Sequence, residues 1–337
     1  MSPKVSIIIP VYNAEKTLEK CLNSVMGQRY DNYDVILIND GSSDGSDRIC
    51  KEFQKKHKNI VYIEQDNMGA SCARNAGMEK ASGKYIVFVD SDDRISADFL
   101  KIMTDVARKN NAQLVACEFT NYDPKTGFRD RRCSYDTDIK RSGKSVKREL
   151  THKAFDNRSK QNLTNSVCKL FLRDIIEDNN IRFRSNVRLF EDTLFVSEYY
   201  QFIDKFVYIH RSMYNRLLHE GSEINSYKPD VFNEIDNTLK EYFALKKKYN
   251  LSGNYESRFA LDICKIIINH NLLRSDNKDS ISEKNSSFYR FVENSSFRRL
   301  YAGMDIKKIT GRNNRIVCFT VKNNLLLLLL LFKKIIK

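Results

Sequence analysis

Short apolar runs and stretches of helical period alternate from residue 4 to residue 119, and this alternation limits the fold more than anything else in the chain. Residues 4–10 (KVSIIIP), 33–39 (YDVILIN), 60–65 (IVYIEQ), 84–90 (KYIVFVD) and 112–119 (AQLVACEF) read as strands, being short, apolar and rich in β-branched residues. Between them, 14–28, 46–57, 70–81 and 96–110 read as helices; in the first, Leu18, Cys21, Leu22, Val25 and Met26 fall at helical intervals. That order predicts a doubly wound, Rossmann-like, mostly parallel α/β sheet. Ligands of such sheets bind at the carboxyl ends of the strands. Three of those ends are polar: PVYN after the first strand, NDGSSDGS after the second and DSDD after the fourth.

The acidic cluster Asp90, Asp92 and Asp93 follows directly on Ile86, Val87, Phe88 and Val89. Like charges this close raise one another's pKa and cost folding free energy. Two aspartates separated by one residue on a tight loop can hold a hard divalent cation against a substrate phosphate, which offsets the repulsion. An Asx-turn and N-cap run into the helix near Ser96 is the alternative. In NDGSSDGS the glycines permit close ligand approach, while Asp44 or Ser46 can cap the next helix. No Gly-Lys-Ser/Thr follows, so it is not a P-loop, and it is not GxGxxG, so a dinucleotide site is poorly supported. Arg74 and Asn75 lie one turn inside the third helix, where an arginine can neutralise an anionic group or form a surface salt bridge.

These segments, in this order and spacing, resemble family 2 glycosyltransferases with the GT-A fold: VSIIIPVYNAEKTLEKCLNSVMGQ, NDGSSDGS, NMGASCARNAG and YIVFVDSDD, then FEDTLF at 190–195. The likeness covers residues 1–120 strongly and 165–222 moderately. It implies a GT-A domain over 1–225, with a nucleotide-binding half (1–120) and an acceptor half (121–225). A mainly helical region follows over 226–337. It also implies that Pro10, Val11, Tyr12 and Glu15 line a nucleotide pocket, that Asp40 accepts a hydrogen bond from a uracil ring, and that Arg74 sits near the diphosphate. Asp90, Ser91 and Asn67 would contact the nucleotide-sugar, and Asp92 would bind Mg2+ or Mn2+; Asp93 is a further candidate. Asp192, with Glu191 beside it, would be the general base of an inverting transfer. YNRLLHEGSEIN (214–225) would bring Arg216 or His219 to the diphosphate. Chemically the set is coherent: a positioned carboxylate can deprotonate an acceptor hydroxyl, and a metal with Arg74 can stabilise the departing diphosphate. The alternative for Glu191 and Asp192 is helix N-terminal charge favoured by the dipole. The tryptophan usual near the acceptor is missing, since the chain has none.

Charge separates the two ends of the chain. Residues 1–110 hold 16 basic and 16 acidic residues, whereas 298–337 hold ten basic residues and one acidic, Asp305. The formal net charge of +14 is thus a property of the later part, which points to an anionic partner there. A nucleic-acid partner is not expected, because no recognised motif accompanies the charge. The run Leu325–Leu331 with Phe332 is too short to cross a bilayer, for which about 20 residues are needed. Flanked by Arg312, Arg315, Lys322, Lys333, Lys334 and Lys337, it suits an anionic membrane surface or a core helix. Eight scattered cysteines without metal-ligand spacing, and a first segment unlike a secretory signal, point to a reducing cytoplasm. The expected activity is transfer of a hexose or N-acetylhexosamine from a UDP-sugar to a lipid-linked glycan in capsule, exopolysaccharide or cell-wall synthesis. The alternatives are a teichoic-acid-like polymer as acceptor, or a non-catalytic nucleotide-binding module. Residues 121–165 read as polar loop with a helix or two, and 167–183 and 190–202 as helices with apolar faces.

Overall fold

The computed structural model describes residues 4–155, 163–218, 227–251, 255–309, 311–323 and 325. Within them the chain divides into two compact units, Met1–Ala154 with Arg158–His219, and Phe155–Asn157 with Glu220–Lys337.

The first unit is built on one sheet. Its strands are β1 (Val5–Val11), β2 (Tyr33–Asp40), β3 (Ile60–Gln65), β4 (Tyr85–Phe88), β5 (Arg94–Ile95), β6 (Leu114–Tyr122), β7 (Arg129–Arg132), β8 (Ile139–Ser142), β9 (Lys169–Leu172) and β10 (Lys205–Leu217). They lie in the order β3-β2-β1-β4-β9-β6-β10-β5, with β7 paired to β6 and β8 to β10. β3, β2, β1 and β4 are parallel, as are β6 and β10; β9 is antiparallel to both its neighbours, β4 and β6. Helices α1 (Leu18–Met26), α2 (Ser46–Lys56) and α4 (Phe99–Asn110) cover one face with α3 (Ala70–Lys80), α5 (Ser145–Phe155), α6 (Arg173–Asp178) and α7 (Glu191–Tyr199) on the other.

A strand covered on both faces must be apolar on both, which is why β1 reads as an unbroken apolar run. Val5, Ile7, Ile9 and Val11 enter the core beneath α1, α2 and α4, and Ile8 enters the opposite core beneath α3 and α7. Helix α3 lies close on the sheet because Gly77 carries no side chain: a Cβ there would meet Ile8 Cγ2 at 2.4 Å. That contact fixes the height of Arg74, one turn earlier, above the carboxyl ends of β1 and β4.

Two expectations need correction. Residues 167–183 are not a helix: Lys169–Leu172 form β9, and only the six-residue α6 follows. A four-residue apolar run cannot be assigned by period alone, and the open edge between β4 and β6 decides it. Nor is 121–165 mostly loop, since β7 and β8 are charged edge strands whose composition carries no apolar alternation. Helix α7 and a following 3₁₀ turn (Tyr200–Phe202) stand as read.

The second unit is helical: α8 (Val231–Tyr249), α9 (Glu256–Ile267), α10 (Ile281–Asn294), α11 (Phe297–Ala302) and α12 (Arg312–Lys322). Phe155 stacks on Tyr255 and meets Tyr242 and Phe259 edge-on at its centre. A capping box between Ser280 and Glu283 starts α10. Among the described residues no helix is long and apolar enough to cross a membrane. His219 and the leucine run beyond Leu325 lie outside the described residues.

Candidate active site

The polar strand ends form a connected rim. After β1 the chain turns through Asn13, whose φ of 46° is left-handed. The Asn13 side-chain carbonyl accepts the Ser43 N–H at 2.8 Å, and its own N–H donates to Ser42 Oγ at 3.1 Å. The Ala14 N–H donates to Ser46 Oγ at 2.8 Å and the Glu15 N–H to Asp44 Oδ2 at 3.0 Å. Against the cost of burial, the bonds from Ser46 and Glu15 hold the Asp44 carboxyl below its usual range. The turn that carries Pro10, Val11, Tyr12 and Glu15 is thereby pinned to the glycine-rich loop. Val11 is buried, Pro10 half-buried, and Tyr12 and Glu15 are exposed.

Asp40 closes the other side of this rim. Its Oδ1 accepts from Gln65 Nε2 at 2.7 Å and the Met68 N–H at 2.9 Å, and its Oδ2 accepts the Gly69 N–H at 2.8 Å. A buried carboxylate thus organises the segment entering α3, including the exposed Asn67. Gly41, at φ +69°, sits against Asn67: a Cβ would meet the Asn67 nitrogen at 2.8 Å, so only glycine lets the two loops touch.

At the end of β4 the three aspartates take different places. Asp90 Oδ1 accepts from Arg74 Nη2 at 2.9 Å. Asp93 is buried, with its Oδ1 accepting the Leu217 N–H at 2.9 Å. Burial first, then Asp90 and Asp92, push its carboxyl well above the usual range. It ties the acidic loop to β10, as does the Asp90 N–H, which donates to Tyr214 Oη at 3.2 Å. Ser91 and Asp92 are half-buried, and Asp92 lines a cavity of about 290 Å³ together with Arg216.

Arg74 joins this loop to α7. Its guanidinium lies 3.8 Å from Glu191 Oε1 and 3.7 Å from Asp192 Oδ1, and 5.3 Å from the centre of the Phe183 ring. Burial disfavours its charge, but Asp192, Asp90 and Glu191 outweigh that and raise its pKa. Its Nε and Nη1 donate no hydrogen bond among the described residues. The segment before α7 is locked in turn: Asn75 exchanges two hydrogen bonds with the Phe183 backbone (2.8 and 2.9 Å), and Phe183 stacks on Phe195 at 4.0 Å. Phe190, immediately before Glu191, has a φ of 63°, a costly conformation for an aromatic residue and one that clusters at functional sites.

Two residues here escaped the sequence reading. Ser166 donates to Asp192 Oδ1 at 2.7 Å, while Oδ2 accepts no hydrogen bond among the described residues. Lys169, fully buried on β9, donates to Asn165 O at 2.6 Å and Val167 O at 3.3 Å, the carbonyls on either side of Ser166. A single lysine inside the apolar run VCKLFL was the signal available. Burial lowers its pKa from 10.5 to about 8, with Cys168 and Asp192 acting in the opposite sense. Between those values the unfolded chain binds the extra proton, so stability rises as pH increases through that window. Urea unfolding at pH 7.5 and pH 10 is expected to show a gain of about 2 kcal/mol relative to Lys169→Met. An equal response in both proteins would mean that the ammonium stays charged in the fold.

Among the described residues no three His, Cys, Asp or Glu side chains gather to hold an ion by themselves. Mg2+ commonly takes one or two carboxylates and completes its shell with substrate phosphates and water, a donor set that Asp92 in the cavity wall fits.

Comparison with known proteins identifies relatives of the chain and of its fold. Residues 6–179 match the model of glycosyl transferase family 2. The glycosyltransferase EpsJ of Bacillus subtilis is 30% identical over 271 residues, covering 79% of this chain and 76% of EpsJ. A poly(ribitol-phosphate) beta-glucosyltransferase of Bacillus spizizenii is 29% identical over 205 residues, 58% of this chain and 29% of that longer protein. The crystal structure of residues 1–349 of S. aureus TarS in complex with UDP-GlcNAc superposes with a TM-score of 0.65 at 17% identity, covering 98% of this chain and 88% of that one.

Proposed function

The chain belongs to glycosyl transferase family 2, and on that premise we propose that it moves a hexose or N-acetylhexosamine from a UDP-sugar, with inversion, to a hydroxyl of a lipid-linked glycan in capsule, exopolysaccharide or cell-wall synthesis. The observation that carries this reading is Arg74, which brings Asp90 at the end of β4 within one guanidinium of Glu191 and Asp192, a hundred residues later. The UDP-GlcNAc bound by the TarS fragment supports the choice of donor.

Each residue has a task in a single displacement. The nucleotide lies on the rim formed by Pro10–Glu15, Asp40 and Asn67. Buried N–H groups without hydrogen bonds are costly; Arg74 makes none through Nε, and its Nη1 reaches Glu191 and Asp192 only at 3.8 and 3.7 Å, so the donor's diphosphate can accept from both. Ser166 holds Asp192 by Oδ1, leaving Oδ2 to take the proton of the acceptor hydroxyl as it attacks. Asp92 would hold Mg2+ or Mn2+, which when bound supplies positive charge to the leaving diphosphate.

The test is a screen of UDP-hexoses for hydrolysis and binding by the full chain, with and without metal. Asp92→Asn is expected to remove the metal-dependent part of UDP-sugar binding. Metal-independent binding of equal strength in both proteins would take Asp92 out of this role, and no turnover of any nucleotide sugar would favour a non-catalytic module. Similarity to the poly(ribitol-phosphate) transferase favours a second acceptor, a teichoic-acid-like polymer, without changing the enzyme class. The basic, leucine-rich tail is proposed to hold the protein on the inner face of the cell membrane. A chain ending at Lys322 should then lose sedimentation with anionic vesicles; unchanged sedimentation would place the anchor elsewhere.

A further inference from the structure

In the cavity beside Asp92, donor binding accounts for Asp92 and, by the family resemblance, Arg216, but not for the rest of the wall. Arg94 of β5, Arg129 of β7 and Arg216 of β10 line it, with Tyr122 of β6 and Asn215 of β10. Asp92 is the one acidic residue of that wall, so three arginines line about 290 Å³ with a formal excess of two positive charges. Like charges converging in one cavity are unfavourable unless an anion joins them. The neighbours of Arg129 on β7 show the ordinary arrangement: Arg131 pairs with the buried Glu118, and Arg132 with Asp130 at 2.5 Å. Arg129, Arg94 and Arg216 have no ion-pair partner among the described residues, and Arg129 rests instead 4.8 Å from the Tyr122 ring centre.

The cavity adjoins the nucleotide rim and reaches beyond it. Arg94 follows Asp92 by two residues and pairs in register with Asn215 of β10, whereas Arg129 comes from β7, a strand that the rim does not use. Asp92 stands where rim and cavity meet. We infer that the cavity is an acceptor subsite that binds a phosphate mono- or diester, placing a hydroxyl of a phosphorylated acceptor beside the donor sugar. Guanidinium groups suit this ligand because their planar donor forks match phosphate oxygens. The inference rests on the transferase reading above and narrows its acceptor to an anionic one.

Glycerol 3-phosphate is the probe, titrated calorimetrically into the full chain saturated with UDP and Mg2+, with glycerol as the uncharged control. Binding of the phosphate but not of glycerol is expected. Arg94→Gln and Arg129→Gln should each weaken it about tenfold, as loss of a charge-assisted hydrogen bond would, while Arg129→Lys keeps most of it. UDP affinity, measured separately, should hold in all three. Unchanged phosphate binding in the glutamine variants would overturn the inference. So would a parallel loss of UDP affinity, which would assign the arginines to the donor diphosphate. Wild-type protein that binds glycerol 3-phosphate but no UDP would instead sink the transferase reading and leave the anion site standing.

Discussion

Asp192→Asn is expected to lower sugar transfer by about 10²- to 10⁴-fold, the usual contribution of a general base, while leaving UDP-sugar binding within about threefold. The amide has nearly the shape of the carboxylate, so Ser166 can still donate to its oxygen and the start of α7 keeps its place. What the amide cannot do is accept the acceptor's proton. Arg74 retains Asp90 and Glu191 as partners, so the diphosphate side of the site is little altered. Transfer rates and UDP-sugar affinity measured on the same preparation separate the two effects. Near-normal transfer by the variant would remove Asp192 as the base.

Arg74→Met should cost the fold about 3–5 kcal/mol, the range found when one partner of a buried ion pair is removed. Three carboxylates lose their shared counter-charge at once, and the aromatic surface of Phe183 loses its cation. Lysine is a poor substitute, since one ammonium cannot address Asp90, Glu191 and Asp192 through a planar fork. Denaturant unfolding is the readout. The double variant Arg74→Met, Asp90→Asn should be less destabilised than the sum of its parts, because the two residues are coupled. Strict additivity in that cycle would show that the Arg74–Asp90 bond contributes nothing beyond its separate groups.

The polar rim was legible because its strands are buried on both faces and its loops break that pattern sharply. NDGSSDGS and DSDD stand out against VILI and YIVF, and parallel topology then puts their polar ends on one rim. The order of the strands was not legible. β10 is the longest strand, yet register shifts between Ile209 and Tyr214 disrupt its alternation, and it escaped as a strand. The partition of the three aspartates also depends on it. Asp93 turns inward because the Leu217 N–H is there to be accepted, a contact 124 residues distant. Ser166 was invisible for a similar reason, and Lys169 showed only as one lysine in an apolar run. Neither belongs to a motif, and their importance arises only where β9 delivers them beside α7.

The position of β9 has a consequence for how the protein is made. Among the described residues β6 is joined to β4 only through residues 169–172, which are synthesised some fifty residues after β6 itself. Until they leave the ribosome, β4 and β6 each present an open edge, and open edges are where chains pair wrongly or aggregate. A nascent chain of 120 residues would contain every loop of the nucleotide rim and still be unable to close its sheet. The half proposed to bind the donor is therefore not a separable folding piece; its last seam is closed by residues 169–172, which lie beyond it in the chain.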